Sequence, residues 1–158
     1  MKKHVNRAVV ASLALPMLGL FAPTASADTT LVLFEHDTMQ HQTDLGAPGP
    51  GPDDQFLFAG DVFDRPGGMF LGTASGSCTE LPSRNGTEQT VCNATLNLAG
   101  GQLVVQGTGD MASADTHPLT IVGGTGIYQN AAGTGTVQIP QDVPNQTDAN
   151  FVLNLTGG

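Results

Sequence analysis

The stretch IVGGTGIYQNAAGTGTVQI, residues 121–139, places two glycine-rich groups between two apolar runs typical of β-strands. The first group is Gly123–Gly126 and the second is Gly133–Gly135. Such a stretch is either a phosphate-binding loop or a tight β-hairpin. A phosphate-binding loop requires a lysine after its last glycine, or a third glycine where Gln129 stands, and then a helix; the sequence has none of these. The stretch therefore predicts a hairpin whose glycines allow sharp bends at the corner of a barrel.

Strand-like runs continue the same pattern outward along the chain, and no helical periodicity is present after residue 27. The predicted strands are residues 30–36, 55–62, 69–81, 89–98, 102–107, 119–123, 133–139 and 150–155. Short strands with brief connections favour an all-β fold, an eight-stranded antiparallel closed β-barrel, because closure removes exposed strand edges. The segment Gly46–Pro52, GAPGPGP, predicts a loop without regular structure.

The first 27 residues predict a secretory signal peptide. A basic start, an apolar stretch over residues 8–21 and the small residues 25–27 match that pattern. The apolar stretch is too short for a comfortable transmembrane span, and no second one follows. Removing residues 1–27 from the 158-residue chain leaves 131 residues, 28–158, which we expect to form one secreted domain.

The charge of residues 28–158 excludes several classes of partner. Arg65 and Arg84 are the only lysine or arginine residues left against fourteen acidic residues, which gives a net charge of −12. Such a surface repels phosphate groups, so we expect no nucleic-acid partner and, once the signal peptide is removed, no membrane partner.

Two cysteines, Cys78 and Cys92, flank a short turn. A three-residue loop over residues 84–86 would pair Ser83 with Thr87 and would set the two cysteines directly opposite each other. Opposed residues on antiparallel strands lie within reach of a disulfide, which is the default in an oxidising compartment; free thiols are the alternative.

Side-chain alternation in the first strand places two carboxylates on an apolar face. Leu31, Leu33, Glu35 and Asp37 share one face, and Val32, Phe34 and His36 share the other. If the first face lines the lumen, Glu35 and Asp37 lie towards its mouth, where burial raises the pKa of a carboxyl. His36 points away from Asp37, so no metal site is expected there.

Several motifs, taken in order, resemble those of plant allene oxide cyclases and of the related dirigent proteins. GQLVVQG (101–107), followed by LTIVGGTGIYQNAAGTGTVQI (119–139), resembles the closing half of the cyclases, and both families share the GGTG turn. LFEHD (33–37) resembles the first strand of both families, and FLGTASGSC (70–78) resembles the cyclase strand that carries a pocket cysteine. The likeness spans nearly all of residues 28–158. It implies a calycin-like barrel, often trimeric, whose elongated apolar cavity folds a reactive substrate for ring closure.

The resemblance also implies roles for individual residues. Glu35 matches the cyclase glutamate that stabilises developing positive charge, and Asp37 matches a dirigent aspartate that is a candidate acid. Pro48 matches a cyclase proline near the bound water, and Cys78 matches the pocket cysteine. Tyr128, the only tyrosine, is a further substrate-binding candidate that is expected to pack with its hydroxyl at the rim. Glu35 and Asp37 are therefore the implied catalytic residues.

Three departures separate the chain from the plant families. A disulfide at Cys78 would consume the thiol that the cyclases keep. Residues 108–116 hold no tyrosine where the cyclases have one near the substrate, and Ala132 replaces an arginine of the dirigent proteins. Neither plant activity is expected to transfer intact.

The sequence leaves three functions open. The first is a cyclase or isomerase that works without a cofactor on a small apolar molecule in the lumen. The second is a non-catalytic carrier or storage barrel for a lipid or an aromatic small molecule, and the third is a structural protein with a filled barrel. Lumen-facing carboxylates with raised pKa values would favour the enzyme. A homotrimer is the assembly that the resemblance implies.

Overall fold

The structure, a computed structural model, describes residues 28–49, 51–84, 87–110, 113–140 and 148–156. These residues form eight β-strands and one 3-10 turn, Gly126–Tyr128. The strands are β1 (Thr29–Thr43), β2 (Gln55–Phe63), β3 (Phe70–Arg84), β4 (Thr87–Leu98), β5 (Gly101–Gly109), β6 (Thr116–Gly124), β7 (Ala132–Gln138) and β8 (Ala149–Thr156). The predicted signal peptide, residues 1–27, lies outside the described residues. In the described part of the chain, no helix is long and apolar enough to cross a membrane.

The eight strands close into a barrel. Each strand pairs antiparallel with the next, and β8 pairs with β1. This confirms the all-β, eight-stranded barrel that the strand pattern predicts. Every predicted run coincides with one observed strand, but β1 continues to Thr43, well beyond its predicted end at His36. The extension forms because β2 supplies a complete partner for it, Gln55–Ala59.

One half of the barrel interior is filled with side chains. Leu96, Leu103 and Leu153 from β4, β5 and β8 have no exposed surface, and Val62 of β2 is 1% exposed. Burying each of these side chains contributes about 2 kcal/mol, so this half is the stabilising core. The alternation of inward and outward residues along each strand places the polar residues between them on the outer wall.

The glycine-rich hairpin closes the filled end. β6 and β7 pair as predicted, and the chain between them docks on the β4–β5 turn. The Thr125 amide donates to the Gln102 carbonyl and the Ile127 amide donates to the Gly100 carbonyl, each at 2.9 Å. Gly126 has a φ of +63°, and a Cβ at this position would collide with the Gly100 carbonyl. Only glycine permits this close approach of two turns.

The loop between β1 and β2 is irregular but fixed at the opposite end. Asp54 is 2% exposed, and its two carboxylate oxygens accept hydrogen bonds from the amides of Leu45 (2.8 Å) and Gly51 (3.0 Å). The Asp54 carbonyl in turn accepts from the Glu80 amide of β3 at 2.9 Å. The sequence predicts an irregular Gly46–Pro52, which is correct for the described residues, but it does not predict that one buried aspartate anchors both ends.

The β3–β4 hairpin carries a disulfide between Cys78 and Cys92. The two residues are paired directly, with their Cα atoms 4.0 Å apart, which confirms the predicted pairing. The predicted pairing of Ser83 with Thr87 is wrong, because Arg84 pairs with Thr87 after a register shift that begins at Leu81. Pro82 lies within the shift and has no amide hydrogen for the ladder, which explains the extra residue on β3.

Candidate active site

A cavity of about 260 Å³ occupies the half of the barrel that the core leaves open. It opens where β1, β3, β5 and β7 end, beside the β1–β2 loop. Its apolar lining residues are Phe56, Phe58, Ala94, Val105, Leu119, Val137, Ile139, Ala149 and Phe151. The volume lies just below the range of about 300–1,000 Å³ that is usual for small-molecule pockets. The lumen is therefore not filled with side chains, and its size suits a small apolar ligand.

Glu35 is a buried carboxyl in the wall of this cavity. It is 2% exposed, and its Oε1 has no hydrogen-bond partner among the described residues. Burial, together with the smaller effects of the charges of Asp37 and Asp148, raises the pKa of Glu35 from 4.5 to about 7. Near neutral pH such a carboxyl is present in both forms, so it can donate a proton or accept one.

Gly60 of β2 makes the room that Glu35 occupies. A Cβ at residue 60 would lie 2.8 Å from Glu35 Oε1 and 2.5 Å from the carbonyl oxygen of His36. Real Cβ atoms do not approach this closely, so β1 and β2 would have to separate. The position of the buried carboxyl therefore depends on a missing side chain on the neighbouring strand.

A second carboxylate, Asp37, lines the cavity one pair of residues further along β1. Its amide donates to Asp148 Oδ1 at 3.2 Å, and the same oxygen lies 3.0 Å from Nδ1 of His36. Gln40 donates from Nε2 to Asp37 Oδ2 at 2.8 Å. His36 is half exposed, so its imidazole lies on the outer side of the barrel wall. The hydrogen bonds just described hold the two acids beside it, Asp37 and Asp148, in place.

A bulge in β1 changes which side chains face the cavity. Asp37 and Met39 pair with the consecutive residues Ala59–Gly60, so Thr38 is the extra residue. An extra residue moves the following side chains to the opposite face, and Gln42 accordingly lines the cavity. The mouth thus receives an amide that simple alternation from Leu31 would place outside.

The disulfide forms part of the cavity wall. Cys78 and Cys92 both line it, and the described residues contain no free cysteine. A bridged sulfur has no proton to transfer and cannot act as a nucleophile. Cys78 therefore contributes a wall contact and a crosslink, and the thiol of the plant cyclases has no counterpart at this position.

The model of the family called allene oxide cyclase barrel like domain matches residues 34–153, about three quarters of the chain. The chain belongs to this family. The resemblance seen in the motifs is thereby confirmed. No curated protein matches the chain in sequence.

Several solved structures have the same barrel fold as this member of the allene oxide cyclase barrel-like family. A pyocyanin demethylase is 25% identical with a TM-score of 0.68, over 81% of this chain and 100% of that chain. The Diels–Alderase AbmU from Streptomyces koyangensis is 22% identical with a TM-score of 0.68, over 82% of this chain and 64% of that chain. The pterocarpan synthase dirigent protein GePTS1 is 17% identical with a TM-score of 0.68, over 92% and 96% of the two chains. The last two similarities show the shared fold.

Three of the five site residues expected in this allene oxide cyclase barrel-like chain meet at the cavity. Glu35, Asp37 and Cys78 line it. Tyr128 does not, because it lies in the turn at the filled end, where it packs against the core. Pro48 is exposed in the β1–β2 loop and is not among the lining residues either. Contact of Tyr128 or Pro48 with a substrate has no support in the cavity geometry.

Sequence reasoning missed two features of the site. Gly60 carries no motif, and only its place opposite Asp37 in the β1–β2 ladder would have indicated its role. His117 precedes a proline and is expected to face solvent, but it is 6% exposed and its Nε2 lies 3.3 Å from Ser113 Oγ. The alternation His117, Leu119, Ile121 along β6 was the signal that it points inward.

No metal site is apparent in the described ranges of the chain, since no three His, Cys, Asp or Glu side chains in them are arranged to hold an ion.

Proposed function

We propose that the protein is a secreted cyclase or isomerase, which holds a small apolar substrate in its cavity and guides a stereoselective ring closure. The observation that carries the proposal is the carboxyl of Glu35, which is 2% exposed and lines a mostly apolar cavity, with one oxygen that has no partner among the described residues. Buried carboxyls with raised pKa values are typical of sites that move protons or stabilise charge. The Cys78–Cys92 disulfide supports an oxidising compartment.

The apolar walls supply the conformational part of the reaction. Phe56, Phe58 and Phe151 present rigid rings to a flexible substrate, and the disulfide and the barrel ladder keep these walls fixed. Holding a substrate in one folded conformation removes much of the entropic cost of closing a ring. The product follows from the substrate by rearrangement of its own atoms, so no co-reactant is required.

The carboxyl of Glu35 supplies the electrostatic part. As an acid it donates a proton or a hydrogen bond to an oxygen that gains negative charge. As a carboxylate it stabilises positive charge that develops on a carbon skeleton. A pKa of about 7 makes both forms available near neutral pH.

Similar structures give independent support for ring formation. AbmU and AbnU are both described as Diels–Alderases, and GePTS1 as a pterocarpan synthase dirigent protein. Barrels of this fold therefore accommodate reactions in which a ring is closed.

A direct test uses neutral linear polyenes that carry either a vinyl epoxide or a tethered diene and dienophile. Purified protein is incubated with each compound, and chiral chromatography follows the rate and the enantiomeric excess of the cyclised product. We expect an enantiomeric excess with the wild type. For the epoxides we expect a rate about 100-fold lower in Glu35→Gln, because the amide cannot transfer a proton. Asp61→Asn, on the outer face of β2, removes a carboxylate without touching the cavity and should leave the rate unchanged.

The alternative is a carrier, and the open, apolar cavity is the observation that favours it. Native mass spectrometry identifies which of the same compounds bind. Compounds that bind but cyclise at the rate and with the racemic outcome seen in buffer would overturn catalysis in favour of the carrier.

Secretion is tested by the intact mass of the protein recovered from the culture medium. We expect a mass that corresponds to a chain starting near Asp28 with the disulfide formed. Retention of residues 1–27 would contradict this part of the proposal.

A further inference from the structure

We infer that the cavity selects a substrate with an apolar body and a cationic nitrogen, which the carboxyl of Glu35 binds; the substrate class is a small hydrophobic amine. The inference rests on the proposed function, because it specifies the ligand of the same cavity. It differs from that proposal in assigning a charge to the substrate.

The first observation is the unmet hydrogen-bonding capacity of Glu35. Its carboxyl lines the cavity and is 2% exposed, and Oε1 has no partner among the described residues. A buried polar atom without a partner destabilises the empty protein by about 1–3 kcal/mol. An ammonium group that donates to this carboxyl would remove that cost, and charge-assisted hydrogen bonds are about twice as strong as neutral ones.

The second observation is the sign of the charges around the cavity. Glu35, Asp37 and Glu80 line it, and none of the described lining side chains belongs to a Lys, Arg or His. Asp148 lies beside the group and adds to the repulsion that Glu35 experiences. A cation in the cavity would relieve repulsion among these acids, while a carboxylate or a phosphate would increase it.

The position of Arg65 gives the same result. Arg65 belongs to the β2–β3 turn at the filled end, where it pairs with Asp64 at 2.9 Å. Arg65 is thus paired away from the cavity and supplies no counter-ion inside it, which disfavours an anionic substrate such as a fatty acid.

The remaining lining fixes the apolar part of the substrate. Phe56 and Phe58 lie on β2, and Leu119, Val137 and Phe151 lie on β6, β7 and β8, respectively. These side chains offer apolar and aromatic contact and few hydrogen bonds. The substrate therefore has one cationic group and a hydrophobic remainder that fits a volume of about 260 Å³.

The test compares three probes that share one carbon skeleton: 2-naphthylmethylammonium, 2-naphthylmethanol and 2-naphthoate. The chain contains no tryptophan, so naphthalene fluorescence reports binding to the full-length mature protein without interference. We expect the ammonium to bind about ten- to a hundredfold more tightly than the alcohol, and the naphthoate to bind most weakly. In Glu35→Gln the preference for the ammonium should fall at least about tenfold, whereas the affinity for the alcohol should stay within about twofold. Asp61→Asn is the charge-matched control and should keep the preference.

A second readout detects ionisation of Glu35. At pH 6 the carboxyl is mostly protonated in the free protein, because its pKa is about 7. Binding of the ammonium should therefore release close to one proton, which calorimetry in two buffers of different ionisation enthalpy measures. The acids whose charges act on Glu35 are Asp37 on β1 and Asp148 before β8, and Glu80 on β3 lines the same cavity. The release should disappear in Glu35→Gln while these acids remain.

Each outcome separates the two proposals. If the alcohol binds and the ammonium has no advantage, or if the advantage survives in Glu35→Gln, selection of a cation is wrong and a neutral-substrate cavity stands. If none of the three probes binds to the wild type, both the amine substrate and the small-molecule cavity function are overturned.

Discussion

The position of the Glu35 carboxyl depends on Gly60, which has no side chain. The carboxyl fills the space that a Cβ at residue 60 would need. The protein thus accommodates a buried acid between two strands at the edge of an apolar cavity, where its proton is held more tightly than in the unfolded chain.

That proton makes stability depend on pH in a defined window. The pKa of Glu35 is raised from 4.5 to about 7 in the folded protein. Between these values the folded protein binds the proton and the unfolded chain releases it, so the free energy of unfolding falls as the pH rises from about 4.5 to about 7. The total loss attributable to Glu35 is about 3 kcal/mol. Urea unfolding at pH 4, 6 and 8 should show this decline in the wild type and a decline smaller by about that amount in Glu35→Gln.

Asp61→Asn serves as the control for this series, because it removes an acid from the outer wall of β2. Equal pH slopes for wild type and Glu35→Gln would show that Glu35 is not the group whose proton is retained.

Substitution of Gly60 tests the packing of this residue against Glu35. Gly60→Ala should lower the free energy of unfolding by about 2 kcal/mol, because the new Cβ would meet a backbone carbonyl of β1 and the Glu35 side chain. Gly123→Ala is the matched control, since a Cβ there has no atom within 4 Å and φ is not positive. Thermal or urea unfolding measures both. Equal stabilities of the two variants would contradict the close approach of β1 and β2.

Sequence patterns predicted the places of some of these residues but not of others. The alternation from Leu31 to Asp37 correctly grouped the side chains that share one face, because alternation is a local property of a strand, but it left open whether that face lines the lumen. Gly60 has no such local signal, because its role depends on which residue lies opposite it in the barrel, whereas the alternation along β6 does indicate the inward position of His117. The resemblance of one motif implied that Cys78 lies in the pocket, and Cys78 does line the cavity. Tyr128 does not line it, and no motif could indicate this, because it depends on which end of the barrel is filled with side chains.

Among the elements, the β1–β2 loop depends most on a single side chain. Asp54→Asn replaces one of two accepting oxygens with an NH₂ group, so one of the amides of Leu45 and Gly51 loses its partner. We expect a loss of about 1–3 kcal/mol in the free energy of unfolding, measured in urea. Asp53→Asn is the control: Asp53 is exposed with a φ of 75°, a conformation that asparagine readily adopts. Similar losses in both variants would show that burial of Asp54 does not decide the loop's stability.

The disulfide hairpin permits a test of the crosslink itself. The double variant Cys78→Ser/Cys92→Ser should lose about 3 kcal/mol of unfolding free energy, because the bridge closes a loop of 14 residues in the unfolded chain. A reductant should lower the stability of the wild type by a similar amount and leave the double variant unchanged. A loss below about 1 kcal/mol would mean that the β3–β4 ladder holds the hairpin without the bridge.

Strand registers show where local patterns stop being informative. Counting outward from the turn predicted the pairing of Cys78 with Cys92 correctly. The same count failed beside the turn, because Pro82 shifts the register by one residue. The bulge at Thr38 has no comparable signal in the sequence, because it is a property of the register between β1 and β2.

For the whole molecule, we propose that the barrel assembles as a homotrimer through the outer face of β1 and β8. Val32 is 61% exposed and Val152 is 38% exposed, and the two residues are directly paired across these strands. Contiguous exposed apolar patches are typical of contact surfaces, and the resemblance of the motifs implies a trimer. Size-exclusion chromatography with light scattering should give three times the monomer mass for the wild type and the monomer mass for Val32→Lys. Val104→Lys, on the outer face of β5 across the barrel, should stay trimeric; a monomeric wild type would overturn the assembly.

The docking of the Gly123–Gly126 turn on the β4–β5 turn has a kinetic consequence. Among the described residues the lumen has a single mouth, because the leucine core and this turn occupy the other end. If the proposed ring closure takes place in this lumen, its product leaves by the route that the substrate used, and the two molecules compete for the same opening. Steady-state turnover of the proposed reaction should accordingly show product inhibition that is competitive with substrate.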